Sequence, residues 1–303
     1  MPTESYRINY LRELESESIY IIRETVAEFE KSVLLYSIGK DSSVLLHLIK
    51  KAFFPGKCSI PLLHIDTGYK FKEMIEFRNY FSDKIGATLI VERNEKMISQ
   101  GIHPLLYGTD QCCGFLKTQA LLDALKKYQF DAAFGGARRE EEKSRAKERV
   151  FSLRNKFGVW DPKNQRPELW HLYNCKLKKD ETMRVFPLSN WTELDVWHYI
   201  KLENIEVVPL YFSKTREVVV RNKILIPIDK YTKLQKGEKT VTKKCRFRSL
   251  GCSPCTGVIE SQASTVEEII SELILTRKSE RENRVIDLGS DSSMEEKKKQ
   301  GYF

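Results

Sequence analysis

Between Leu34 and Leu48 the chain changes its hydrophobic repeat, and that switch constrains the fold more than any other feature. Ser32 to Tyr36 is an apolar run of strand length, whereas Val44, Leu45, Leu48 and Ile49 recur at helical spacing. The junction, Ser37-Ile38-Gly39-Lys40-Asp41-Ser42-Ser43, holds a glycine, a lysine, an aspartate and hydroxyls. A strand that turns directly into a helix leaves backbone N–H groups pointing out of the helix start, where the helix dipole favours negative charge. Gly39 lets an anion approach the backbone, Lys40 adds positive charge, and Ser42 and Ser43 add donors. These residues read as a phosphate cradle. The bland alternative is a strand-to-helix turn that happens to hold a lysine.

With 303 residues the chain can bury a core as one large domain or as a domain with a lobe. No uninterrupted apolar run is long enough to span a bilayer, and Met1 to Arg7 lacks the apolar region of a signal peptide. A soluble, cytoplasmic protein without a membrane partner is expected. The formal charge of +9 favours acidic partners. The basic residues are interleaved with Glu rather than gathered in a stripe, so small anionic substrates are expected and nucleic acid is not. Seven cysteines in a cytoplasmic chain point to metal or reactive thiols rather than structural disulfides.

From Ile8 to Glu30 the chain is amphipathic, with Leu11, Leu14, Ile22, Val26 and Phe29 on one stripe, which predicts an N-terminal helix within residues 1–30. Strands are expected at Ser32–Tyr36, Ile60–Ile65, Ala87–Arg93, Ala132–Phe134 and Met183–Phe186. Helices are expected after the cradle, at Lys72–Lys84, at Lys117–Lys127, and after Thr192-Glu193-Leu194-Asp195, which fits a capping box. This alternation over residues 31–205 predicts an α/β fold with a mostly parallel sheet and helices on both faces. Ligands in such sheets sit at the carboxyl ends of the strands, so the loops after Tyr36, Ile65 and Phe134 should converge on one pocket. Asp66 could hold a ribose hydroxyl or a magnesium ion, or could serve as a turn or helix-cap aspartate.

Residues 206–303 read as a smaller C-terminal subdomain and tail, with strand-like Val218–Val220 and Ile224–Ile226. Thr265-Val266-Glu267-Glu268 is a second capping box, opening a helix to about Lys278. Ser290 to Lys299 is polar and charged, a composition that stays disordered when free. Asn155 to Lys179, rich in Trp, Pro and Asn, is expected to be an ordered loop, a lid or a partner surface.

Alternating charges from Glu140 to Arg149 ordinarily mark a solvated helix face, with Glu141 and Arg145 suited to an i,i+4 pair. On that reading Lys143, Arg145 and Arg149 face solvent. Arg138 and Arg139 differ, because they follow a strand end and Gly135-Gly136 and so project over the cradle. The planar fork of arginine suits phosphate and sulfate oxygens.

The cradle is not a Walker loop: Leu34 stands where that pattern needs its first glycine, and Asp41 follows Lys40 in place of Ser or Thr. It resembles the PP-loop, S-x-G-K-D-S, of enzymes that split ATP between the α- and β-phosphates. Further stretches carry a closer likeness: His64-Ile65-Asp66-Thr67-Gly68, Asp131 to Arg149, Trp160 to Trp170, Phe186 to Thr192, Val208-Pro209-Leu210-Tyr211, Arg284-Val285-Ile286-Asp287 and Gly301-Tyr302-Phe303. With them the sequence resembles the small, catalytic subunits of bacterial heterodimeric sulfate adenylyltransferases. The resemblance implies the reaction ATP + sulfate → adenosine 5′-phosphosulfate + pyrophosphate. Ser37, Gly39, Lys40, Asp41 and Ser42 would bind the β,γ-phosphates of ATP, which travels with magnesium. Arg138 and Arg139 would hold sulfate or the α-phosphate, making Lys40, Arg138 and Arg139 the catalytic set. Such a reaction needs positioning and charge neutralisation rather than a covalent intermediate. The resemblance also implies a GTPase large subunit that couples GTP hydrolysis to the uphill transfer.

Cys112-Cys113 and the distant Cys252-Ser253-Pro254-Cys255 resemble the ligand set of the [4Fe-4S] cluster in assimilatory adenosine phosphosulfate reductases, relatives on the same fold. Four thiolates suit such a cluster, zinc also accepts four, and unliganded thiols are the third reading. Cys58, Cys175 and Cys245 read as ordinary cysteines. An iron–sulfur reductase is the alternative function. It would need a nucleophilic cysteine on a C-terminal segment and would have no use for ATP. No cysteine follows Cys255, and Lys40-Asp41-Ser42 is intact, so the transferase reading is favoured.

Overall fold

The computed structural model describes residues 4–56, 60–276 and Glu280. Cys58, Lys278, Arg284 to Asp287, Ser290 to Lys299 and Gly301 to Phe303 lie outside the described residues.

The chain runs α1 (Glu4–Glu28), β1 (Ser32–Leu35), α2 (Lys40–Ala52), β2 (Leu62–Ile65), α3 (Lys72–Lys84) and β3 (Leu89–Glu92). Short helices α4 (Glu95–Ser99) and α5 (Pro104–Cys113) lead through a π-helical stretch, Gly114–Gln119, into α6 (Ala120–Tyr128). Then follow β4 (Ala132–Phe134), α7 (Lys143–Lys147), β5 (Phe151–Arg154), β6 (Thr182–Val185) and α8 (Glu193–Glu203). The remainder is β7 (Lys214–Arg221), β8 (Ile224–Pro227), β9 (Thr240–Arg246), β10 (Ile259–Glu260) and α9 (Val266–Leu275).

The first sheet has the order β3-β2-β1-β4-β6-β5 and is parallel except for β5. The chain leaves β1 toward β2 and β3 on one side, whereas β4 and β6 lie on the other. The crevice between the carboxyl ends of β1 and β4 is therefore the topological switch point, where such sheets take their ligands. Alternation along β1 separates the two faces. Leu34 and Tyr36 pack with α1, α2, α3 and α8, while Val33 and Leu35 pack with Leu121, Ala124 and Leu125 of α6. Helices thus cover both faces, as the alternation of elements predicts.

In α1, Leu11, Leu14 and Ile22 are buried, as is Phe29 just beyond its end, but Val26 is exposed, and Ser18 and Thr25 take up the inner stripe. The Ser18 hydroxyl donates to the Pro187 carbonyl at 2.9 Å and accepts from the Trp191 indole at 3.0 Å, so a polar residue is fully satisfied there. Both expected capping boxes form. The Thr192 hydroxyl accepts from Asp195 N–H at 3.1 Å, and that of Thr265 accepts from Glu268 N–H at 3.2 Å.

The strand β5 is an element the sequence pattern did not suggest, antiparallel at the sheet edge. Residues 155–179 lie against that edge. The Glu168 carboxylate accepts from Val150 N–H (3.1 Å) and Phe151 N–H (2.7 Å), Tyr173 stacks on Phe151 with centroids 4.3 Å apart, and Trp160 is buried. The stretch is an ordered edge cover, which blunts a surface prone to unwanted pairing. Leu169, Trp170 and Leu172 point outward from it.

The second sheet, β10-β9-β7-β8, is antiparallel. Its Val218 and Cys245, with Phe247 and Val258 beside them, join the same apolar cluster as α2, α3 and α8. Phe71 meets Phe247 edge-on at 4.8 Å across this seam.

On β2, His64 is buried and donates through Nδ1 to the Tyr36 carbonyl at 2.8 Å. Burial, then the charge of Lys70, push its pKa down from 6.5 to about 3. Below pH 6.5 the unfolded chain takes up a proton that the folded chain refuses until about pH 3. Stability from this residue is therefore present above 6.5 and declines by up to about 1.4 kcal/mol per pH unit below it. Urea midpoints should fall more steeply between about pH 7 and 5 for the native protein than for a His64→Gln variant.

Candidate active site

After β1 the chain makes its turn at Ile38, whose φ of 69° places a β-branched residue in the left-handed region. Such a residue costs about 1–3 kcal/mol of strain, and its side chain is fully buried in the core, which holds it there. Gly39, which the sequence suggested for close approach of an anion to the backbone, has an ordinary φ of −72° and caps α2. The Ser42 hydroxyl donates back to the Gly39 carbonyl at 2.9 Å and lies 3.2 Å from the Ser37 hydroxyl. The first amide of α2, that of Lys40, donates to the Tyr211 hydroxyl at 2.8 Å.

Two glycines after β4 bring the opposing loop in. A Cβ on Gly135 would sit 2.9 Å from the Phe186 ring, and one on Gly136 would sit 3.1 Å from the Asp41 carbonyl carbon and the Ser42 nitrogen. This close fit delivers Arg138 to the cradle. Its Nε donates to Asp41 Oδ1 at 2.7 Å, one terminal nitrogen donates to Glu140 at 3.1 Å, and the other donates to Glu280. Lys40 Nζ donates to Asp41 Oδ2 at 3.2 Å and to the second oxygen of Glu280. Both cations are essentially inaccessible to solvent. Burial alone would discharge Lys40, but the Asp41, Glu280 and Glu193 carboxylates outweigh it and raise its pKa. For Arg138 the same balance, against Asp41, Glu280 and Glu141, raises the guanidinium further. Glu193 itself is pushed up, first by burial and then by Glu280, although Arg248 clasps it at 2.7 and 3.1 Å.

Lys40, Asp41, Ser42 and Arg138 thus come together as the sequence suggested, with Ser37 and Gly39 forming the turn. Arg139 is less central. Its amide donates to the Ser189 carbonyl at 3.0 Å and its guanidinium donates to Asn190. With Arg145, Glu148 and Arg149 it lines a cavity of about 10 Å³ beside Arg138. Arg145 corrects the expectation of a solvated face. It is buried, pairs with Glu148 at 3.3 Å and Glu142 at 3.6 Å, and lies over the Phe186 ring. Asp66 is buried, accepting from Gly68 N–H at 2.9 Å and from Arg93 at 2.6 Å. Burial would raise its pKa, but these two donors lower it. That is a turn aspartate with an ion-pair partner.

Beside the cradle, at the carboxyl ends of β1 and β2, a cavity of about 60 Å³ is lined by Ser37, His64, Ile65, Lys70, Lys117 and Gly251, among others. Sequence reasoning did not single out Lys70, Tyr211, Glu193, Arg248 or Glu280. Only Tyr211, inside one of the quoted stretches, and Glu193, inside a capping box, carried any signal.

The four paired cysteines gather near this cavity, where α5 meets the turn Ser253–Cys255. Cys252 Sγ lies 3.1 Å from the Thr67 hydroxyl, and Ser253 N–H donates to the Tyr69 carbonyl at 2.8 Å. Burial, then the neighbouring Cys113 and Cys252, push the Cys112 thiol up to about 12. Cys255 is raised by burial and by the other three. The thiols therefore feel one another, yet among the described residues no three His, Cys, Asp or Glu side chains are grouped to hold a metal ion. A cluster needs four thiolates in ligating geometry around one centre, and these four cysteines are not grouped in that way among the described residues.

The pattern that defines the phosphoadenosine phosphosulfate reductase domain matches residues 31–258. Sulfate adenylyltransferase subunit 2 of Marinomonas sp. (strain MWYL1) is 59% identical over 297 residues, spanning 98% of this chain and 99% of that one. The protein of the same name from Aliivibrio fischeri (strain MJ11) is 58% identical over 301 residues, 99% of this chain and all of its own. Among solved structures, Candida glabrata FMN adenylyltransferase in complex with FAD and inorganic pyrophosphate aligns with a TM-score of 0.50. It is 16% identical, over 78% of this chain and 73% of that one, a likeness of fold.

The tight approach of Gly136 to backbone atoms of α2 gives a direct expectation. In a Gly136→Ala variant the first turn of α2 must shift, at a cost of about 1–3 kcal/mol. Urea denaturation should show that loss.

Proposed function

The chain belongs to the sulfate adenylyltransferase subunit 2 family, whose members are nucleotidyltransferases on the phosphoadenosine phosphosulfate reductase domain fold, and on that premise we propose how its crevice works. The reaction is ATP + sulfate → adenosine 5′-phosphosulfate + pyrophosphate. The observation that carries the assignment is the pair of buried cations, Lys40 from the β1 loop and Arg138 from the β4 loop, facing each other at the start of α2. A sulfate oxygen attacks the α-phosphorus, the bond to the bridging oxygen of the β-phosphate breaks, and pyrophosphate leaves into Ser37–Ser42. Lys40 neutralises charge on the departing diphosphate. Arg138, with Arg139 at the edge of the crevice, presents sulfate or steadies the α-phosphate. Positioned cations in a dry site supply the electrostatic stabilisation.

The nucleoside end is assigned to the cavity lined by His64, Ile65 and Lys70. Asp66 would orient that loop. A magnesium ion carried in with ATP would have to displace Arg93 to bind it directly, which favours the ribose or turn role. The relatives' name, subunit 2, implies a second subunit. We assign that place to a GTPase, because forming a phosphosulfate anhydride is uphill and must be coupled. No helix among the described residues is long and apolar enough to cross a membrane, and a cytoplasmic location is proposed. A [4Fe-4S] centre on Cys112, Cys113, Cys252 and Cys255 is supported by their convergence alone, so no step of the transfer is assigned to it.

Two measurements test this reading. With the partner and GTP present, Lys40→Ala or Arg138→Ala should lower sulfate-dependent pyrophosphate release by about 10²–10³-fold; an unchanged rate overturns the assignment. Cys112→Ser and Cys255→Ser should retain the transfer rate within about twofold, since no reacting atom is held there. A much larger loss, with iron and sulfide in anaerobically purified protein, would give the cysteines a cluster and a part in the reaction.

A further inference from the structure

The cradle's donors are satisfied by oxygens of the chain itself. Lys40 N–H meets the Tyr211 hydroxyl at 2.8 Å, and Asp41 lies 3.2 Å from Lys40 Nζ and 2.7 Å from Arg138 Nε. The distinctive contact is Glu280. One carboxylate oxygen accepts from Lys40 Nζ and the other from Arg138, so this group straddles the switch point between β1 and β4. Its side chain is 8% exposed. Asp41 belongs to the cradle's own helix, whereas Glu280 lies beyond α9, far along the chain from both loops. A carboxylate bridging a lysine and an arginine uses the donors that two phosphate oxygens would use.

From this geometry we infer that Glu280 is a resident anion that competes with the diphosphate for one seat. The inference rests on the assignment of Lys40 to the diphosphate, with Arg138 beside it at the sulfate or α-phosphate. Two cations lodged out of water need a counter-charge, and Glu280 supplies it. Glu193 is already close enough to feel Glu280. A polyphosphate entering beside both carboxylates would stack further negative charge in a medium that screens poorly. Entry of the diphosphate therefore expels Glu280, and the intrinsic affinity of the cradle is reduced by the fraction of molecules in which Glu280 holds the seat.

The test is calorimetric titration of the full-length chain with inorganic pyrophosphate at one ionic strength. Glu280→Gln keeps the shape and removes the charge, and should tighten pyrophosphate binding by about tenfold or more. Glu280→Asp shortens the bridge, and should give a smaller gain in a chain that keeps its charge balance. A purely structural role would produce weaker binding in both. Unchanged or weaker affinity in the variants overturns the inference. Lys40→Ala separates the two claims. If it binds pyrophosphate as the native chain does, the seat itself is misassigned. If it loses binding while Glu280→Gln gains nothing, only the role of Glu280 fails.

Discussion

Two cations held out of water within reach of each other make the strongest demand in this structure. An unpaired buried charge costs several kcal/mol, so Lys40 and Arg138 can coexist at the switch point only if carboxylates stand between them. Asp41 lies between them from the first turn of α2, Glu280 reaches in from beyond α9, and Glu193 with Arg248 adds a second paired layer behind. Much of the surrounding geometry follows from this arrangement. The strand-to-helix turn is tightened at Ile38, the second loop is glycine-lined so that it can touch the helix, and Tyr211 closes the first amide.

The net charge of +9 says little about this site, where acidic and basic groups nearly balance. The balance is local rather than global. Away from the cradle the same economy is less complete: Arg184 on β6 is buried with none of its nitrogens hydrogen-bonded among the described residues. Burial, then Arg154, push its pKa down to about 9. Glu148, which receives Arg154 at 2.5 Å and Arg145 at 3.3 Å, is the carboxylate of that cluster.

The convergence of the β1 and β4 loops was legible in the sequence because the hydrophobic period switches at one point and because Arg138 follows a Gly-Gly pair at a strand end. Those are local signals, and local signals survive in a sequence. The edge strand was not legible. Phe151-Ser152-Leu153-Arg154 carries Ser152 and Arg154 on a buried face, so burial there does not look apolar. Arg145 was misplaced for the same reason, since charge alternation cannot reveal that Glu142 and Glu148 fold around it. Glu280 sits in a highly charged stretch, and its place is set by residues that lie 142 and 240 positions before it. The cysteine pairs were legible as a gathering, while their ligating distances depend on side-chain placement that spacing does not fix.

Because Val208, Leu210 and Tyr211 are buried with α2 and α8, and Phe247 is pressed against Phe71, the nucleotide-binding sheet does not end where its last strand ends. A shortened chain stopping near residue 205 would strip the cap from the cradle's first amide and bare the apolar flank that the second sheet covers. The two sheets are therefore separate hydrogen-bonded surfaces over one shared apolar core, and a boundary drawn near residue 205 cuts through that core.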